Sequence, residues 1–238
     1  MAQAIGLRER KKQQTRQAIF EAARRLFAER GFDSVTVVEI ARAANVSEVT
    51  VFNYFPTKED LFYGGMQFFE EELLEAVRSR PRGESAVTAL KRKMLESADG
   101  LREKERIDAI IKAARTVSAS PSLVAREREI VERYTLRLAE LLAAETGADA
   151  DDVEPLAAAA AMIGAHRALV DHVRSRVLAG KRGAALVEDA RAQTRRAFVR
   201  LERGLGGYAA RKPSSDRAAR GPVTPPRLRA APPRAGEG

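Results

Sequence analysis

Four hydroxyl groups and one ammonium group occur close together in the N-terminal quarter of the chain, at Thr36, Ser47, Thr50, Tyr54 and Lys58. Such groups donate hydrogen bonds to phosphate oxygens, and the unpaired backbone amides at helix starts do the same. The chemistry that these residues favour is therefore the non-covalent binding of a polyanion.

The charge of the chain is concentrated at its two ends. The 238 residues carry a formal net charge of +9 with a pI near 10.1. Residues 1–30 hold eight Lys and Arg against three acids, and residues 209–238 hold seven against two. A basic balance favours polyanionic partners, although an Arg- and Ala-rich composition also arises from coding bias.

The sequence lacks the common motifs of enzyme active sites. It has no nucleophile elbow, no phosphate-cradling glycine loop and no carboxylate pair set off from helix surfaces. Cysteine is absent, and His166 and His172 alone would form a poor metal site. We therefore predict a binding protein that is not an enzyme and needs neither a metal nor a cofactor.

The first two helices are predicted from periodicity and capping. Apolar residues recur at three- and four-residue spacing from 15 to 29, and Gly31 follows as a stop. The sequence TVVE at 36–39 is a capping box, in which Thr36 bonds an amide three residues on and Glu39 reaches back. A second helix is expected to start there.

The next signals predict a turn and a third helix. Asn45 tolerates a left-handed backbone and ends the second helix, and Ser47 can cap the third, which Pro56 stops. Val51 and Phe55 lie four residues apart on one face of that helix and are expected to be buried. Residues 36–55 thus form a helix-turn-helix, whose second helix can enter the major groove of DNA.

The ordered set GFDSVTVVEIARAANVSEVTVFNYFPTKEDLF, residues 31–62, resembles the TetR-type transcriptional regulators. The specific part of the resemblance covers about residues 12–72. It implies an all-α protein with an N-terminal three-helix DNA-binding domain and a C-terminal helical domain for ligand binding and dimerisation. It also implies binding to double-stranded operator DNA with an inverted repeat, and release by a small-molecule effector.

The resemblance assigns roles to individual positions of the helix-turn-helix. Thr36 would contact phosphate at the start of the second helix. The residues expected to face the groove are Ser47, Glu48, Val49, Thr50 and Asn53, and those expected to lie against the DNA backbone are Phe52, Tyr54 and Lys58.

Two positions depart from the family pattern. Asn45 stands where the family usually has glycine, and Phe52 stands where it usually has tyrosine, so a phenolic hydroxyl is missing there. Glu48 has two readings: it can accept from a cytosine amino group, or it can simply stabilise the helix dipole. The basic run RERKK at 8–12 is either a phosphate-seeking arm or a solvated face.

Residues that end helices or form loops divide the chain into four predicted segments. We predict a basic N-terminal arm at 1–11, the DNA-binding domain at 12–72, a helical domain at 73–206 and a disordered basic tail at 207–238. A long helix is expected from Thr57, followed by helices at about 85–99, 103–117, 122–145, 152–179 and 184–205. Ser120 is expected to cap the helix at 122–145.

The resemblance implies an effector pocket in the helical domain, and homodimerisation could use the helices at 152–179 and 184–205 because small residues there permit close approach. Simple core packing is the alternative for each apolar pocket candidate, and a surface or dimer-interface position is the alternative for the histidine. The candidates are Phe62, Met66, Phe69, Met94, Ile110, Ile111, Tyr134, Leu138 and His166.

The sequence also predicts where the protein is located in the cell and how it binds DNA. The longest uncharged apolar run, residues 156–165, is too short to cross a bilayer, and no signal peptide is recognisable, so a cytoplasmic protein is expected. The leading hypothesis is a ligand-responsive repressor. The alternative is a sequence-tolerant DNA-coating or architectural protein that uses both basic ends.

Overall fold

The computed structural model describes residues 6–64 and 66–210, and of residues 66–70 it describes the backbone alone. All regular elements in that part of the chain are helical, which confirms the predicted all-α class. The elements are α1 (Leu7–Arg30), α2 (Val37–Ala43), α3 (Glu48–Tyr54), α4 (Lys58–Tyr63), α5 (Met66–Arg78), α6 (Ala86–Ser97), a 3-10 helix (Ala98–Arg102), α7 (Lys104–Ala119), α8 (Pro121–Thr146), α9 (Glu154–Leu178) and α10 (Gly183–Leu205).

The N-terminal helices α1 to α4 form one unit, which we call the head. Ile19 of α1, Ile40 of α2, Val51 of α3 and Leu61 of α4 are each at most 1 % exposed and belong to one apolar cluster. Phe27 lies in the same cluster and packs against Phe32, which follows α1, and against Phe62 of α4. The two short helices α2 and α3 are therefore held by tertiary packing rather than by their own length.

Helices α5 to α10 form the body. α8 and α9 pack along each other, and α10 packs on α9 and α6. The body core includes Leu90, Leu138, Met162 and Phe198, all nearly inaccessible, and it is continuous with the core of the head. A second, smaller cluster joins the 3-10 helix and the start of α7 to the adjoining ends of α9 and α10.

Two element boundaries and one helix cap differ from the sequence prediction. α1 begins at Leu7 instead of about residue 15, so residues 7–11 of the predicted arm are helical. The single long helix expected from Thr57 is described as α4 and α5, with Gly65 outside the described residues. Ser120 precedes α8 but does not cap it, because its hydroxyl donates to Asp33 of the head at 3.0 Å.

The end of α10 is anchored by one buried cation. Arg80, 1 % exposed, donates to a carboxylate oxygen of Glu145 at 3.0 Å and to the carbonyl of Ala209 at 2.7 Å. Tyr208 and Ala209 also pack against the core. Residues 207–210 of the predicted tail therefore belong to the body, whereas residues 211–238 lie outside the described residues. None of the described helices is long and apolar enough to cross a membrane.

Replacing Arg80 by alanine is expected to destabilise the body. Glu145 and the carbonyl of Ala209 would lose their shared donor, and removing one partner of a buried pair costs about 3 kcal/mol. The free energy of unfolding, measured by denaturant titration, should fall by that amount. Arg78→Ala is the matched control, since its pair with Glu75 is exposed and should contribute about 0.5 kcal/mol or less. Equal losses for the two variants would contradict a special role for Arg80.

Candidate nucleic-acid interface

The capping box predicted at the start of α2 is present in both directions. The amide of Thr36 donates to Glu39 Oε2 at 2.9 Å, and the amide of Glu39 donates to Thr36 Oγ1 at 3.3 Å. The backbone hydrogen bond from Thr36, followed by the hydrogen bond from Arg30 at 2.6 Å, lowers the pKa of Glu39 to about 2. Glu39 therefore stays ionised at neutral pH and fixes the start of α2. Thr36 itself is exposed, as a phosphate contact would require.

Asn45 makes the turn that sets the angle between α2 and α3. Its φ is 54°, which lies in the left-handed region that asparagine tolerates. The amide of Val46 returns to the carbonyl of Ala41 at 3.0 Å, so the chain reverses directly after α2. The predicted left-handed backbone of Asn45 is confirmed, and the turn forms with asparagine where the family usually has glycine.

Ser47 and two apolar residues fix α3 from its start and its inner face. Ser47 Oγ accepts from the amide of Thr50 at 3.1 Å and lies 2.8 Å from the Thr50 hydroxyl. Val51 is fully buried and Phe55 is 1 % exposed, as the spacing predicted. The Arg16 guanidinium covers the Phe55 ring at 4.8 Å. α3 is thus attached to the head along one side only.

The opposite side of α3 is open. Glu48 and Asn53 are exposed, Val49 is 70 % exposed and Phe52 is 46 % exposed. The spacing of these four residues places them on one outward face. Thr50 is half-buried because its hydroxyl turns towards Ser47. Four of the predicted groove residues, Ser47, Glu48, Val49 and Asn53, therefore reach solvent freely.

Tyr54 lies beside a basic groove that the sequence assigned to a separate arm. Three cations on the first turns of α1, Arg8, Lys11 and Lys12, line a groove of about 640 Å³ together with one acid, Glu9, and with Thr15 and Tyr54. These cations were missing from the predicted site, because a helix starting near residue 15 would have left them outside it. Residues 8–15 are polar and form no apolar stripe, so periodicity did not predict the early start of α1.

Lys58 is drawn into the head instead of projecting from it. Its ammonium donates to the carbonyl of Phe32 at 3.1 Å and to that of Val35 at 3.3 Å, and it lies 4.3 Å from the centre of the Phe32 ring. Two of its three N–H groups are occupied in this way. A phosphate contact by Lys58 stays a prediction, and at most one N–H is open to it in this arrangement.

Three contacts fasten the head to the start of α8, including Ser120 directly before the helix, and we call them the head–body contacts. Arg126 donates to Asp60 Oδ1 at 2.6 and 3.1 Å, and the Tyr63 hydroxyl donates to the carbonyl of Leu123 at 3.0 Å. The third is the Ser120–Asp33 hydrogen bond. Burial raises the pKa of Tyr63, which therefore remains a neutral donor. These contacts join the start of α8 to α4 and to the loop before α2.

The nine predicted effector residues do not converge on one cavity. Tyr134 and Leu138 line an interior cavity of only about 10 Å³, too small for a ligand, and Met94 is buried in the same core. Ile110 and Ile111 pack against the smaller cluster. The side chains of Met66 and Phe69 lie outside the described residues.

Phe62, by contrast, lines a cleft of about 1020 Å³ between α1 and α7, with α4 at its base. We call this the α1–α7 cleft. Its apolar lining includes Phe20, Phe27, Phe62, Ala109, Ala113 and Val117. The described part of the chain contains no group of three or more His, Asp or Glu side chains that could hold a metal ion.

His166 is buried in α9, and not at the surface or dimer interface that the sequence offered as the alternative to a ligand contact. Burial lowers its pKa to about 4, and the nearby charges of Arg167 and Arg174 add to the effect. Those two guanidinium groups pair with Glu127 of α8, at 3.5 and 2.7 Å, and Glu127 is itself almost inaccessible. The imidazole is therefore neutral at physiological pH.

Comparison with known proteins identifies both parts of the chain. A family profile described as "Bacterial regulatory proteins, tetR family" matches residues 19–63, and one described as "MftR C-terminal domain" matches residues 84–206. The HTH-type transcriptional regulator TcmR of Streptomyces glaucescens is 33 % identical over 151 residues, which is 62 % of this chain and 67 % of that protein. The regulator MftR of Mycobacterium tuberculosis is 26 % identical over 168 residues, 68 % of this chain and 81 % of that protein.

Among solved structures, a TetR-family regulator from Streptomyces coelicolor A3 superposes with a TM-score of 0.51 at 20 % identity. The match covers 84 % of this chain and 99 % of that one. At this identity the likeness bears on the fold, and it agrees with the arrangement of a helical head on a helical body.

The burial of His166 should make stability depend on pH with a defined sign. A histidine whose pKa falls from 6.5 to about 4 on folding contributes stability above pH 6.5 that is lost as the pH falls towards 4. Between pH 7.5 and 5 the wild type should lose about 2 kcal/mol more than His166→Gln. Denaturant titrations at both pH values measure the difference. Equal losses for the wild type and His166→Gln would contradict a contribution from the buried imidazole.

Proposed function

Because the chain belongs to the TetR family of DNA-binding transcriptional regulators, we propose that it is a homodimeric repressor that binds an inverted-repeat operator through α3 and leaves it when a small-molecule effector binds. The observation that carries the DNA-binding part is the division of α3 into two faces. Val51 and Phe55 are buried in the head, and Glu48, Val49, Phe52 and Asn53 face solvent. A helix held from behind and open in front can lie in a major groove.

The exposed side chains of α3 suit base reading. Asn53 carries an amide that can pair in two places with adenine, and Val49 offers apolar surface to a thymine methyl group. Phe52, which the resemblance placed against the DNA backbone, shares this outward face and offers the same kind of surface. Large apolar side chains exposed on so short a helix serve no purpose in nonspecific coating, where contacts go to phosphates. This favours a sequence-reading regulator over the DNA-coating alternative.

Phosphate contacts are proposed on both sides of α3. Thr36 lies exposed at the start of α2, and Tyr54 borders the groove lined by Arg8, Lys11 and Lys12. Three cations beside the end of α3 can neutralise phosphates next to the groove that α3 occupies. Accordingly, the basic run at 8–12 joins the interface as part of a rigid helix.

We assign dimerisation to the outer faces of α9 and α10. One face of α9 is exposed and made of small residues: Ala157, Ala160, Ala161, Gly164 and Ala168. Leu156 and, on α10, Val199 are 46 % and 41 % exposed. Small side chains allow two helices to approach closely, and two such pairs form a four-helix interface. A two-fold dimer that reads an inverted repeat needs its two heads about 34 Å apart, one turn of DNA.

Selection of binding sites from a random duplex library tests the function directly. The expected result is an inverted repeat whose half-sites are about one helical turn apart, bound at least ~1000-fold more tightly than random DNA at physiological salt. Recovery of no consensus, with similar affinity for all duplexes, would support the DNA-coating alternative instead.

Two substitutions should separate base reading from phosphate binding. Asn53→Ala should reduce discrimination between the selected operator and its base-substituted variants by about 1–3 kcal/mol. Lys11→Ala should weaken binding to all sequences alike and reduce the salt slope by about one unit per subunit. Affinities across a salt series measure both effects. Lys104→Ala is the control for lost charge, because Lys104 pairs with Asp108 on α7. An Asn53→Ala loss that is equal on every duplex would remove Asn53 from base reading.

A charge placed on the small-residue face of α9 should disrupt the dimer. Ala160→Arg puts a guanidinium where the helices would meet, and we expect the dimer dissociation constant to rise by about 100-fold or more, with a parallel loss of operator affinity. Analytical ultracentrifugation measures the association. Ala144→Arg, an exposed alanine on α8, is the matched control and should leave association unchanged. A dimer that is equally stable in both variants would place the interface elsewhere.

A further inference from the structure

The α1–α7 cleft has the size and lining of a ligand site. Its volume of about 1020 Å³ is at the upper end of the range for small-molecule pockets, roughly 300–1000 Å³. Phe20, Phe27 and Phe62 form an aromatic base. On the α7 side the cleft is lined by Ala109 and Ala113, whose small side chains leave space in it. One wall belongs to the head and the other to the body, so a molecule in the cleft would touch both.

Cations converge on this apolar cleft. Arg24 and Arg25 on α1, Lys112 on α7 and Arg174 on α9 all line it, against a single acid, Glu21, which accepts from Gln17 at 2.8 Å. In the described part of the chain, no carboxylate or carbonyl oxygen lies within bonding distance of the side chains of Arg24, Arg25 or Lys112, in contrast to most cations of the body. A positively charged rim above an apolar base is complementary to a molecule that has a negative charge and an apolar part.

We infer that the α1–α7 cleft binds an amphipathic anion, a molecule with an extended apolar part and one carboxylate, sulfonate or phosphate group. The apolar part lies on the aromatic base, and the anionic group lies at the rim within reach of Lys112 and the two arginines of α1. This deepens the effector part of the proposed function, on which its regulatory meaning rests, by giving the effector a chemical class and a place outside the packed interior of the body.

The position of the cleft connects an occupant to the DNA-reading helix. Ala43, Ala44 and Asn45, the end of α2 and the turn before α3, also line it. On the body side, Arg174 pairs with the buried Glu127 of α8 at 2.7 Å. An anion that attracts Arg174 leaves Glu127 with Arg167 as its remaining partner.

Occupancy would therefore act on the head by two routes. It would keep α1 and α7 apart directly, and it would alter the charge pairing on α8, whose first turns carry the head–body contacts. Both routes change the orientation of α3 relative to the body, and the spacing of two heads in a dimer depends on that orientation. The expected effect of the ligand is a changed operator affinity.

The test uses the full chain and three twelve-carbon probes that differ in the head group: dodecanoate, dodecanol and dodecylammonium. Isothermal titration should show saturable binding of dodecanoate, weaker binding of dodecanol and none of dodecylammonium up to about 1 mM. Lys112→Ala should weaken dodecanoate binding by about tenfold or more through loss of one charge-assisted contact. Arg115→Ala, an exposed cation on the same helix outside the cleft, is the matched control and should bind as the wild type does.

A second variant tests the apolar part of the cleft. Ala109→Trp, at an exposed position on the α7 wall, fills the space without burying new surface in the core and should abolish binding of dodecanoate and dodecanol alike, with unchanged circular dichroism. Equal binding of dodecanoate to the wild type, Lys112→Ala and Ala109→Trp would overturn the inference. Equal binding of the anionic and cationic probes, or no saturable binding of dodecanoate by the wild type, would also overturn it.

Operator binding measured with and without dodecanoate distinguishes this inference from the proposed function. Release of the selected operator by dodecanoate in the wild type, but not in Lys112→Ala, supports both. Binding that is lost in Lys112→Ala while dodecanoate leaves wild-type operator affinity unchanged keeps the site and removes its effector role. Absence of any preferred operator removes the proposed repressor function without affecting the binding result.

Discussion

The surface of α3 that we propose reads DNA depends on the burial of Val51 and Phe55. α3 has seven residues, too few to be stable as an isolated helix in water. Its conformation is maintained because these two side chains are enclosed by the core of the head, and because Ser47 satisfies an amide at its start. The same burial determines which side faces outward. The exposure of Val49, Phe52 and Asn53 is thus a consequence of what lies behind them.

The head in turn depends on the body for its orientation. The head–body contacts all involve the first turns of α8, and the ion pair and the tyrosine hydrogen bond are at least partly shielded from solvent. Polar contacts of this kind are directional and can exchange partners, unlike the continuous apolar core beneath them. A regulator needs both properties: a core that keeps the two parts together and a polar junction whose geometry can change.

Local signals in the sequence predicted the helix-turn-helix because the interactions that form it are local. The Thr36–Glu39 box, the left-handed Asn45 and the Ser47 cap each involve residues at most three positions apart, and they appear in the structure as expected. Lys58 and Ser120 behaved differently, because their partners, Phe32, Val35 and Asp33, are distant in sequence and compete successfully for the same donors. Local capping rules cannot anticipate such competition.

The predicted ligand residues were the least accessible to sequence reasoning. Periodicity identifies the inner face of a helix but not whether the neighbouring helix fills the space, and Tyr134 and Leu138 proved to be closely packed. The α1–α7 cleft could not be predicted, because it is formed by two helices that are separated by more than seventy residues. Its cations resembled ordinary surface charge until the fold placed them on one rim.

Helix α8 gives the molecule a mechanical property that none of its contacts has alone. It is one uninterrupted helix of 26 residues, a rod roughly 39 Å long, with the head at one end and Arg80 and Glu145 at the other. A tilt of about 5° at the anchored end displaces the opposite end by about 3 Å. That displacement approaches the axial rise of one base pair, about 3.4 Å. Leverage alone can therefore convert a small angular change in the body into a shift of register on the double helix.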